Sequence, residues 1–444
     1  MSQDRAALRL SLMGLAGASI EWYDFLLYGT AAALVFPTVF FSATMPPFVA
    51  LIASFSTFAV GFIARPFGGV LFGHLGDKVG RKRALVAALI MMGLVTTLIG
   101  FLPPYHIAGV FSPLALLLLR VAQGLAVGGQ WGGATLLATE SAPGFRRGLY
   151  GGIAQAGVFI GVLLANVAVL AASALTTPES FMSYGWRIPF LFSVMLIGVG
   201  LWVHFRVEET QAFRQLQQDA ATDPPRNSAS AAVLTRQQRP PLLVALRTCP
   251  GRILLAAGVL LPLHAIFYVV VTYAIAYGTS ASGLHLQRTT MLGGTLIAEI
   301  VAVPIIVLAG ALSDRFGRRR VIGTGIAMMG LWALAFFPLI ETRSFVWIAA
   351  ALTIAASCNA VAYGPLGTMF AELFDTRMRY SAMSLAYQLG AIAGGGFVPI
   401  VATALYARFH TNTWTALYIL LSCVVALICL SRLQETASAQ LTRR

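Results

Sequence analysis

The chain has 444 residues, of which 58% are hydrophobic and 10% are charged. Soluble domains carry about 25% charged residues, so the composition excludes an ordinary soluble protein and indicates a polytopic membrane protein. Inside a bilayer every backbone polar group must be satisfied internally, which leaves helices or a closed barrel. The apolar segments have the length of spanning helices, about 20 residues, rather than that of barrel strands. We therefore expect an all-α membrane protein.

The net charge of +14 has a topological explanation. When loops are assigned alternately to two sides, starting inside, the inside set holds 24 of the 30 Lys and Arg residues and the outside set holds four. The remaining two, Arg65 and Arg120, fall within spans. This asymmetry follows the positive-inside rule and predicts that both termini are cytoplasmic. Because the excess is explained by topology, it gives no reason to expect a nucleic-acid partner.

The hydrophobic pattern predicts twelve membrane-spanning helices. They lie at residues 10–36, 47–74, 84–103, 112–138, 148–174, 187–205, 252–278, 287–312, 321–340, 345–371, 380–405 and 413–432. One long polar stretch divides them into six and six. We therefore predict an N-terminal six-helix lobe at 1–205, a cytoplasmic linker at 206–249 and a C-terminal six-helix lobe at 250–444.

The two halves repeat each other. Asp77, in the loop after span two, corresponds to Asp314 in the loop after span eight, and basic residues follow both. Glu140, at the end of span four, corresponds in the same way to Glu372 at the end of span ten. A repeat of half the chain with an even number of spans predicts two parallel halves related by a pseudo-two-fold axis along the membrane normal.

Two acidic residues lie near the middle of the first span. Glu21 and Asp24 are three residues apart, so they share a helix face that Tyr28 continues. Charges at bilayer depth are expensive, and two acids this close resist ionising together. We interpret the pair as proton-coupling groups; the alternative is a structural ion pair with an intramembrane Arg. Glu299 in span eight is a second proton-site candidate, with a helix–helix bond as its alternative.

Polar side chains in other spans are candidates for a substrate site. Arg120, Gln123 and Gln130 fall on one stripe of span four, and the planar fork of Arg suits a carboxylate. The partner of Arg120 is either the acids of span one or an anionic substrate. Arg65 either binds substrate or snorkels and pairs structurally. The other candidates, besides Tyr28, are amides and rings of later spans: Gln155, His264, Tyr268, Asn359, Tyr387 and Gln388.

Several motifs resemble those of the major facilitator superfamily and, within it, of the metabolite:proton symporter family. The motifs cover the whole chain and include Glu21-Trp22-Tyr23-Asp24-Phe25, Arg65-Pro66-Phe67-Gly68-Gly69, Gly76-Asp77-Lys78-Val79-Gly80-Arg81-Lys82, Arg120-Val121-Ala122-Gln123-Gly124 and Trp186-Arg187-Ile188-Pro189-Phe190. Members of this family carry shikimate, 2-oxoglutarate, citrate, or proline and betaine. Residues 21–29, 179–192 and 379–399 are most similar to those of shikimate transporters.

The resemblance implies the major facilitator fold, two lobes that rock around a midplane site, and a multi-pass location in the bacterial inner membrane. It also implies that charged residues at the inner ends of the spans pair to close the inner side; the alternative is that they serve topology alone. The residues expected in this gating role are Asp77, Arg81, Arg83, Glu140, Arg147, Asp314, Arg318 and Glu372. One departure concerns Gln130, because the family usually has Glu in the corresponding Gly-Gly-x-Trp-Gly-Gly stretch.

We therefore expect a proton-coupled importer of a small polar, carboxylate-bearing metabolite resembling shikimate, acting as a monomer. Two alternatives stay open. One is a proton-uncoupled facilitator or exporter, which Gln130 keeps open: either Glu21 and Asp24 alone carry the proton, or coupling is altered. The other is a nutrient sensor on a transporter scaffold, which we would expect to carry a signalling extension beyond the short tails seen here. No phosphate-binding loop, metal-ligand spacing or nucleophile triad is visible, so we expect no cofactor, no metal and no enzyme.

Overall fold

The structure is a computed structural model, and it describes residues 3–79, 81–128, 136, 139, 142–206, 247–375 and 378–437. Within these residues twelve long helices, α1 to α12, account for most of the chain. In the N-terminal half they are α1 (Gln3–Leu34), α2 (Pro47–Val79), α3 (Arg81–Phe101), α4 (Phe111–Val127), α5 (Arg147–Gln155 and Gly157–Ala174) and α6 (Arg187–Arg206). Short helical segments lie between them at Phe36–Val39, Tyr105–Ala108, Pro178–Ser180 and Phe181–Gly185.

Two helices of the C-terminal half contain a π-helical turn. α7 comprises Pro250–Tyr268, the π-helical Val269–Tyr273 and Ala274–Thr279, and α11 comprises Arg379–Ala391, the π-helical Ile392–Gly396 and Val398–Phe409. The other four are α8 (Arg288–Phe316), α9 (Arg318–Glu341), α10 (Phe345–Tyr363 and Leu366–Leu373) and α12 (Thr413–Arg432). Such π-helical turns occur frequently at functional sites.

The described helices match a membrane protein. Eight of them are long and apolar enough to cross a bilayer, namely α2, α5 and α7 to α12, and shorter apolar stretches occur in α3 and α4. Glu21 and Asp24 interrupt the apolar run of α1. Each of the twelve predicted spans overlaps one helix, so the predicted all-α, twelve-helix fold is confirmed. The predicted linker lies mostly outside the described residues, which leaves the lobe boundaries a prediction.

Glycines bring α2 and α4 close together in the N-terminal lobe. A Cβ atom added at Gly124 would lie 2.2 Å from the carbonyl oxygen of Gly61, and one added at Gly128 would lie 1.9 Å from that of Arg65. Without a hydrophobic driving force between helices in lipid, such close backbone packing is a main source of helix association. Gly61 also leaves room for Arg120, because a Cβ there would lie 2.5 Å from its Nε.

Several helix pairs join the lobes in the described part of the chain, among them α1 with α7, where the Trp22 and Phe267 ring centroids are 5.7 Å apart, and two longer seams. We call the contact between α5 and α8 the α5–α8 seam; in it Gly148 packs on the carbonyl of Gly310 and Gly152 packs on that of Ile306. The second seam joins α2 to α11, where a Cβ added at Gly395 would lie 3.3 Å from Phe62. The lobes are therefore in contact over much of their length, and the structure is of a closed conformation.

Candidate substrate and proton site

The two acids of α1 are buried and have no ion pair with any described residue. Asp24 is 1% exposed and Glu21 is 9% exposed, and the Oδ1 atom of Asp24 has no hydrogen-bond partner. The neighbouring Tyr23 donates a hydrogen bond to the carbonyl of Pro189, 2.9 Å away, which ties this part of α1 to α6. The acids are thus buried at a position where no described cation forms a salt bridge with them.

Arg120 lies fully buried among aromatic rings. Its guanidinium carbon is 4.1 Å from the ring centroid of Phe25, 4.2 Å from that of Tyr28 and 4.7 Å from that of Phe58. A desolvated cation over aromatic faces gains about 2 kcal/mol. Its Nε and Nη2 atoms have no hydrogen-bond partner. These unpartnered donors leave Arg120 free to bind an anion.

A short hydrogen-bond chain connects Arg120 to α1. Its Nη1 atom donates to Oε1 of Gln123. The Nε2 atom of Gln123 donates to the carbonyl of Asp24 at 3.2 Å and to the hydroxyl of Thr96 at 2.9 Å. Arg120 and Gln123 of the predicted stripe therefore lie together, while its third member, Gln130, lies outside the described residues. In this conformation Arg120 binds Gln123 rather than an acid of α1.

Arg65 supplies a second buried cation close to the first. Its guanidinium carbon is 4.0 Å from the centroid of Phe25, the ring that also contacts Arg120, and 4.4 Å from that of Phe62. It is 2% exposed, so the side chain stays inside the protein. It lies close to Tyr268 of the other lobe and to Glu21 of α1. Two cations therefore share one ring at the lobe interface.

The C-terminal lobe places rings opposite these arginines. The His264 ring stacks on Tyr268 with centroids 6.4 Å apart and meets Tyr387 edge-on at 5.2 Å. The Nδ1 atom of His264 is 3.2 Å from the carbonyl of Leu260, while its Nε2 atom has no partner. The hydroxyls of Tyr387 and Tyr363 are 2.9 Å apart. Three of the predicted site residues, His264, Tyr268 and Tyr387, thus form one cluster.

A small cavity of about 10 Å³ adjoins this cluster, enough for about one water molecule. Both lobes line it, through Trp22, Val158, Leu263, His264, Phe267, Asn359 and Tyr363. The predicted residue Asn359 donates a hydrogen bond from Nδ2 to the carbonyl of Leu263, 2.6 Å away. Because the cavity is too small for a metabolite, the lobes must separate before a metabolite can enter here.

The remaining predicted polar residues are buried in the described part of the chain or lie outside it. The Tyr28 hydroxyl donates to the Thr57 hydroxyl at 2.7 Å. Gln155 and Gln388 are each 4% exposed, and each has one side-chain atom without a hydrogen-bond partner. Glu299 is 1% exposed. Gln130 and Glu140 lie outside the described residues.

Four of the predicted gating residues meet at the end of the molecule where Asp4 and Glu435 also lie. Nη1 of Arg318 lies 2.7 Å from Asp314, Nε of Arg318 lies 3.3 Å from Glu372, and Nη1 of Arg147 lies 3.9 Å from Glu372. We call Arg147, Asp314, Arg318 and Glu372 the basic-end cluster. It joins the lobes because Arg147 belongs to α5. The side chains of Asp77, Arg81 and Arg83 lie outside the part of the chain that the structure describes.

Asp314 also caps a helix of the opposite lobe. Its carboxylate accepts hydrogen bonds from the backbone amides of Gly148 at 2.8 Å and Leu149 at 3.0 Å, in the first turn of α5. A helix N-terminus has unpaired amides and a partial positive charge, so an acid is favourable there. The contact therefore stabilises the closed form at this end.

The segment after α12 returns to the basic-end cluster. Burial alone would raise the pKa of Glu435, but backbone amides of Ala437, Arg318, Arg319 and Thr436 donate to its carboxylate and hold the pKa below its ordinary value. The hydroxyl of Thr436 donates to Glu372 at 2.8 Å. The carboxylate of Glu435 thus caps the first turn of α9.

Several residues of the site were not predicted from the sequence. They are the rings that hold the two arginines, Phe25, Phe58 and Phe62, and the hydroxyl partners Thr57 and Thr96. One signal was available: residues 58, 62 and 65 have helical spacing and share a face of α2. No group of three or more His, Cys, Asp or Glu residues able to hold a metal occurs in the described part of the chain.

Two family models match the chain. Residues 10–240 match the model described as "Sugar (and other) transporter", and residues 294–440 match the model of the major facilitator superfamily. Together the matches cover parts of both predicted lobes.

Curated relatives are similar in sequence to this chain over nearly its full length. The chain is 40% identical over 423 residues to the shikimate transporter of Escherichia coli K12, covering 95% of this chain and 93% of that one. It is 37% identical over 431 residues to the inner membrane metabolite transport protein YhjE of the same strain, covering 96% and 94%. It is 32% identical over 435 residues to the proline/betaine transporter of that strain, covering 96% and 83%. These relatives are membrane transporters, not enzymes.

Solved structures match the fold. A D-xylose–proton symporter superposes with a TM-score of 0.74 at 18% identity, covering 97% of this chain and 98% of that one. The xylose symporter XylE bound to 6-bromo-6-deoxy-D-glucose superposes with a TM-score of 0.73 at 18% identity, covering 99% and 98%. Together with the family models and the relatives, these likenesses establish that the chain is a membrane transporter that belongs to the major facilitator superfamily, in its group of metabolite transporters.

Proposed function

We propose that the protein imports a small carboxylate-bearing metabolite resembling shikimate across the bacterial inner membrane, together with protons. The observation that carries the proposal is the pair of buried cations with unpartnered donors. Arg120 has free Nε and Nη2 atoms and Arg65 has a free Nε atom. Buried donors without partners are costly, and a carboxylate between the two guanidinium groups would satisfy them.

The charges of the site support coupling to a proton. Arg65 and Arg120 bring two positive charges, and Glu21 and Asp24 bring two negative charges when both are ionised. A substrate carboxylate would add one uncompensated negative charge in a low-dielectric space, which is unfavourable. Binding one proton to Asp24 or Glu21 restores neutrality. Substrate and proton would therefore bind together more favourably than either alone.

The rings and amides of both lobes would shape the rest of the substrate site. Arg120, Gln123 and Tyr28 would contribute from the N-terminal lobe, and His264, Tyr268 and Tyr387 from the C-terminal lobe. Arg65, Gln130, Gln155, Asn359 and Gln388 complete the proposed set. Because these residues approach each other across the lobe interface, rocking of the lobes would open the site to one side at a time.

The inner gate of this cycle would be the basic-end cluster, with both termini in the cytoplasm. The cross-lobe contact of Arg147 with Glu372 and the cap of Asp314 on α5 would break when that end opens. We assign the same role to Asp77, Arg81, Arg83 and Glu140.

Uptake of labelled shikimate into proteoliposomes, with acid outside, tests the proposal. We expect accumulation above the outside concentration and its collapse on adding a protonophore. Equilibration that a protonophore leaves unchanged would contradict coupling and favour a facilitator, the reading that Gln130 supports. No uptake of shikimate would reject that substrate, and the same assay would then be run with citrate, 2-oxoglutarate and betaine.

A further inference from the structure

Glu299 is a buried carboxyl that the substrate site does not need. It is 1% exposed, its Oε2 atom has no hydrogen-bond partner, and it makes no ion pair with the described residues. An ionised carboxylate buried in this way is costly because neither water nor a cation compensates its charge. The closed form therefore accommodates Glu299 most readily with a proton bound.

Glu299 shares a face of α8 with residues of the α5–α8 seam. On α8 one buried stripe comprises Glu299, Ala302, Ile306, Gly310 and Ser313. Ile306 and Gly310 of this stripe pack on Gly152 and Gly148 of the other lobe. At the opposite end of α8, Nη1 of Arg288 lies 3.3 Å from the Ser173 hydroxyl of α5. Contacts between the lobes thus occur on both sides of Glu299 along the helix.

No charge on the neighbouring helices compensates this carboxyl. The helices packed against α8 are α5, α7, α9 and α10. Their titratable and charged residues include Arg147, Tyr150, Arg252, His264, Tyr268, Tyr273, Tyr277, Arg318, Arg319, Arg320, Glu341, Cys358, Tyr363 and Glu372. None of them forms an ion pair with Glu299 in the part of the chain that the structure describes. Its protonation is therefore set by whether water reaches the seam.

We propose that Glu299 is a second proton-binding site, separate from the Arg65 and Arg120 site, whose proton binds when the α5–α8 seam closes and leaves when it opens. Because the seam opens alternately at its two ends during rocking, this carboxyl would meet water on one side and then on the other. The closed form holds one more proton than the open form, so lowering the pH favours closure. Between the pH at which Glu299 ionises in the open form and the higher pH at which it ionises in the closed form, the closed-to-open ratio should fall about tenfold per pH unit.

Hydrogen–deuterium exchange of the full-length protein in nanodiscs without substrate tests this inference. Exchange is followed from pH 5 to 8.5 in peptides of α5 and α8 that lie next to the basic-end cluster. The measured rates are corrected for the intrinsic pH dependence of amide exchange. In the native protein we expect exchange to rise steeply with pH. In Glu299→Gln, whose amide stays neutral, we expect low exchange at every pH, and Glu299→Asp should restore the dependence.

Matched controls separate this result from other causes. Glu179→Gln makes the same change at an exposed position, and its exchange should depend on pH as in the native protein. A native profile in Glu299→Gln would overturn the inference and leave Glu299 a packing residue. Loss of the profile in Asp24→Asn but not in Glu299→Gln would also overturn it. Since no substrate is present, failure here is distinguishable from failure of the proposed transport activity.

Discussion

At the scale of single residues, the site is organised around Phe25. Its ring contacts the guanidinium groups of Arg65 and Arg120 at about 4 Å each, so it keeps two like charges close without direct contact. The sequence pointed to both arginines because charges within apolar spans are conspicuous. It did not point to Phe25, because one phenylalanine in an apolar helix is not distinguishable by type. The role of Phe25 depends on tertiary contact alone.

Replacement of Arg120 by Lys tests whether its planar shape matters. An ammonium cannot stack on Phe25 and Tyr28 or use a fork of donors as guanidinium does. The loss of one desolvated cation–π contact, worth about 2 kcal/mol, and of one hydrogen bond, worth about 1 kcal/mol, should raise the KM for uptake at least about tenfold. Arg343→Lys, at an exposed position, is the control and should leave KM unchanged. An unchanged KM in Arg120→Lys would remove Arg120 from the substrate site.

At the scale of helices, the sequence predicted the spans, but hydrophobicity alone gave no prediction of the faces on which they pack. Length and hydropathy fix where a helix crosses the bilayer, and all twelve predicted spans overlap observed helices. Apolar residues, however, face both lipid and protein, so hydrophobicity does not reveal the buried face. Gly61, Gly124 and Gly128 lie at the contact between α2 and α4. The sequence of either helix alone does not show that these glycines face each other.

Gly124→Ala should destabilise the N-terminal lobe. The added methyl would lie 2.2 Å from a backbone oxygen of Gly61 and 2.9 Å from the Cβ of Ala64, and overpacking of this kind costs about 1–3 kcal/mol. We expect the melting temperature in detergent to fall by a few degrees. Gly17→Ala meets nothing within 4 Å, so its melting temperature should hold or rise. Equal melting temperatures for the two variants would show that this helix contact tolerates extra volume.

At the scale of the whole molecule, the two lobes have unequal roles. The N-terminal lobe holds both arginines and the acids of α1, whereas the C-terminal lobe contributes rings, amides and Glu299. The internal repeat relates Asp314 to Asp77 and Glu372 to Glu140. Asp314 and Glu372 both contact Arg318, but the side chain of Asp77 and the whole of Glu140 lie outside the described residues, so the correspondence between the lobes stays a prediction. The repeat could not predict that Asp314 would cap α5 of the other lobe, because cross-lobe contacts depend on the conformation.

The role of Asp24 in proton coupling is tested most directly by comparing two kinds of transport in Asp24→Asn. If Asp24 carries the coupling proton, this variant should lose pH-driven accumulation of labelled shikimate while keeping exchange of labelled for unlabelled substrate, because exchange needs no net proton movement. Asp375→Asn, an exposed change of the same type, should keep both activities. Native-like, protonophore-sensitive accumulation in Asp24→Asn would show that Asp24 does not carry the coupling proton.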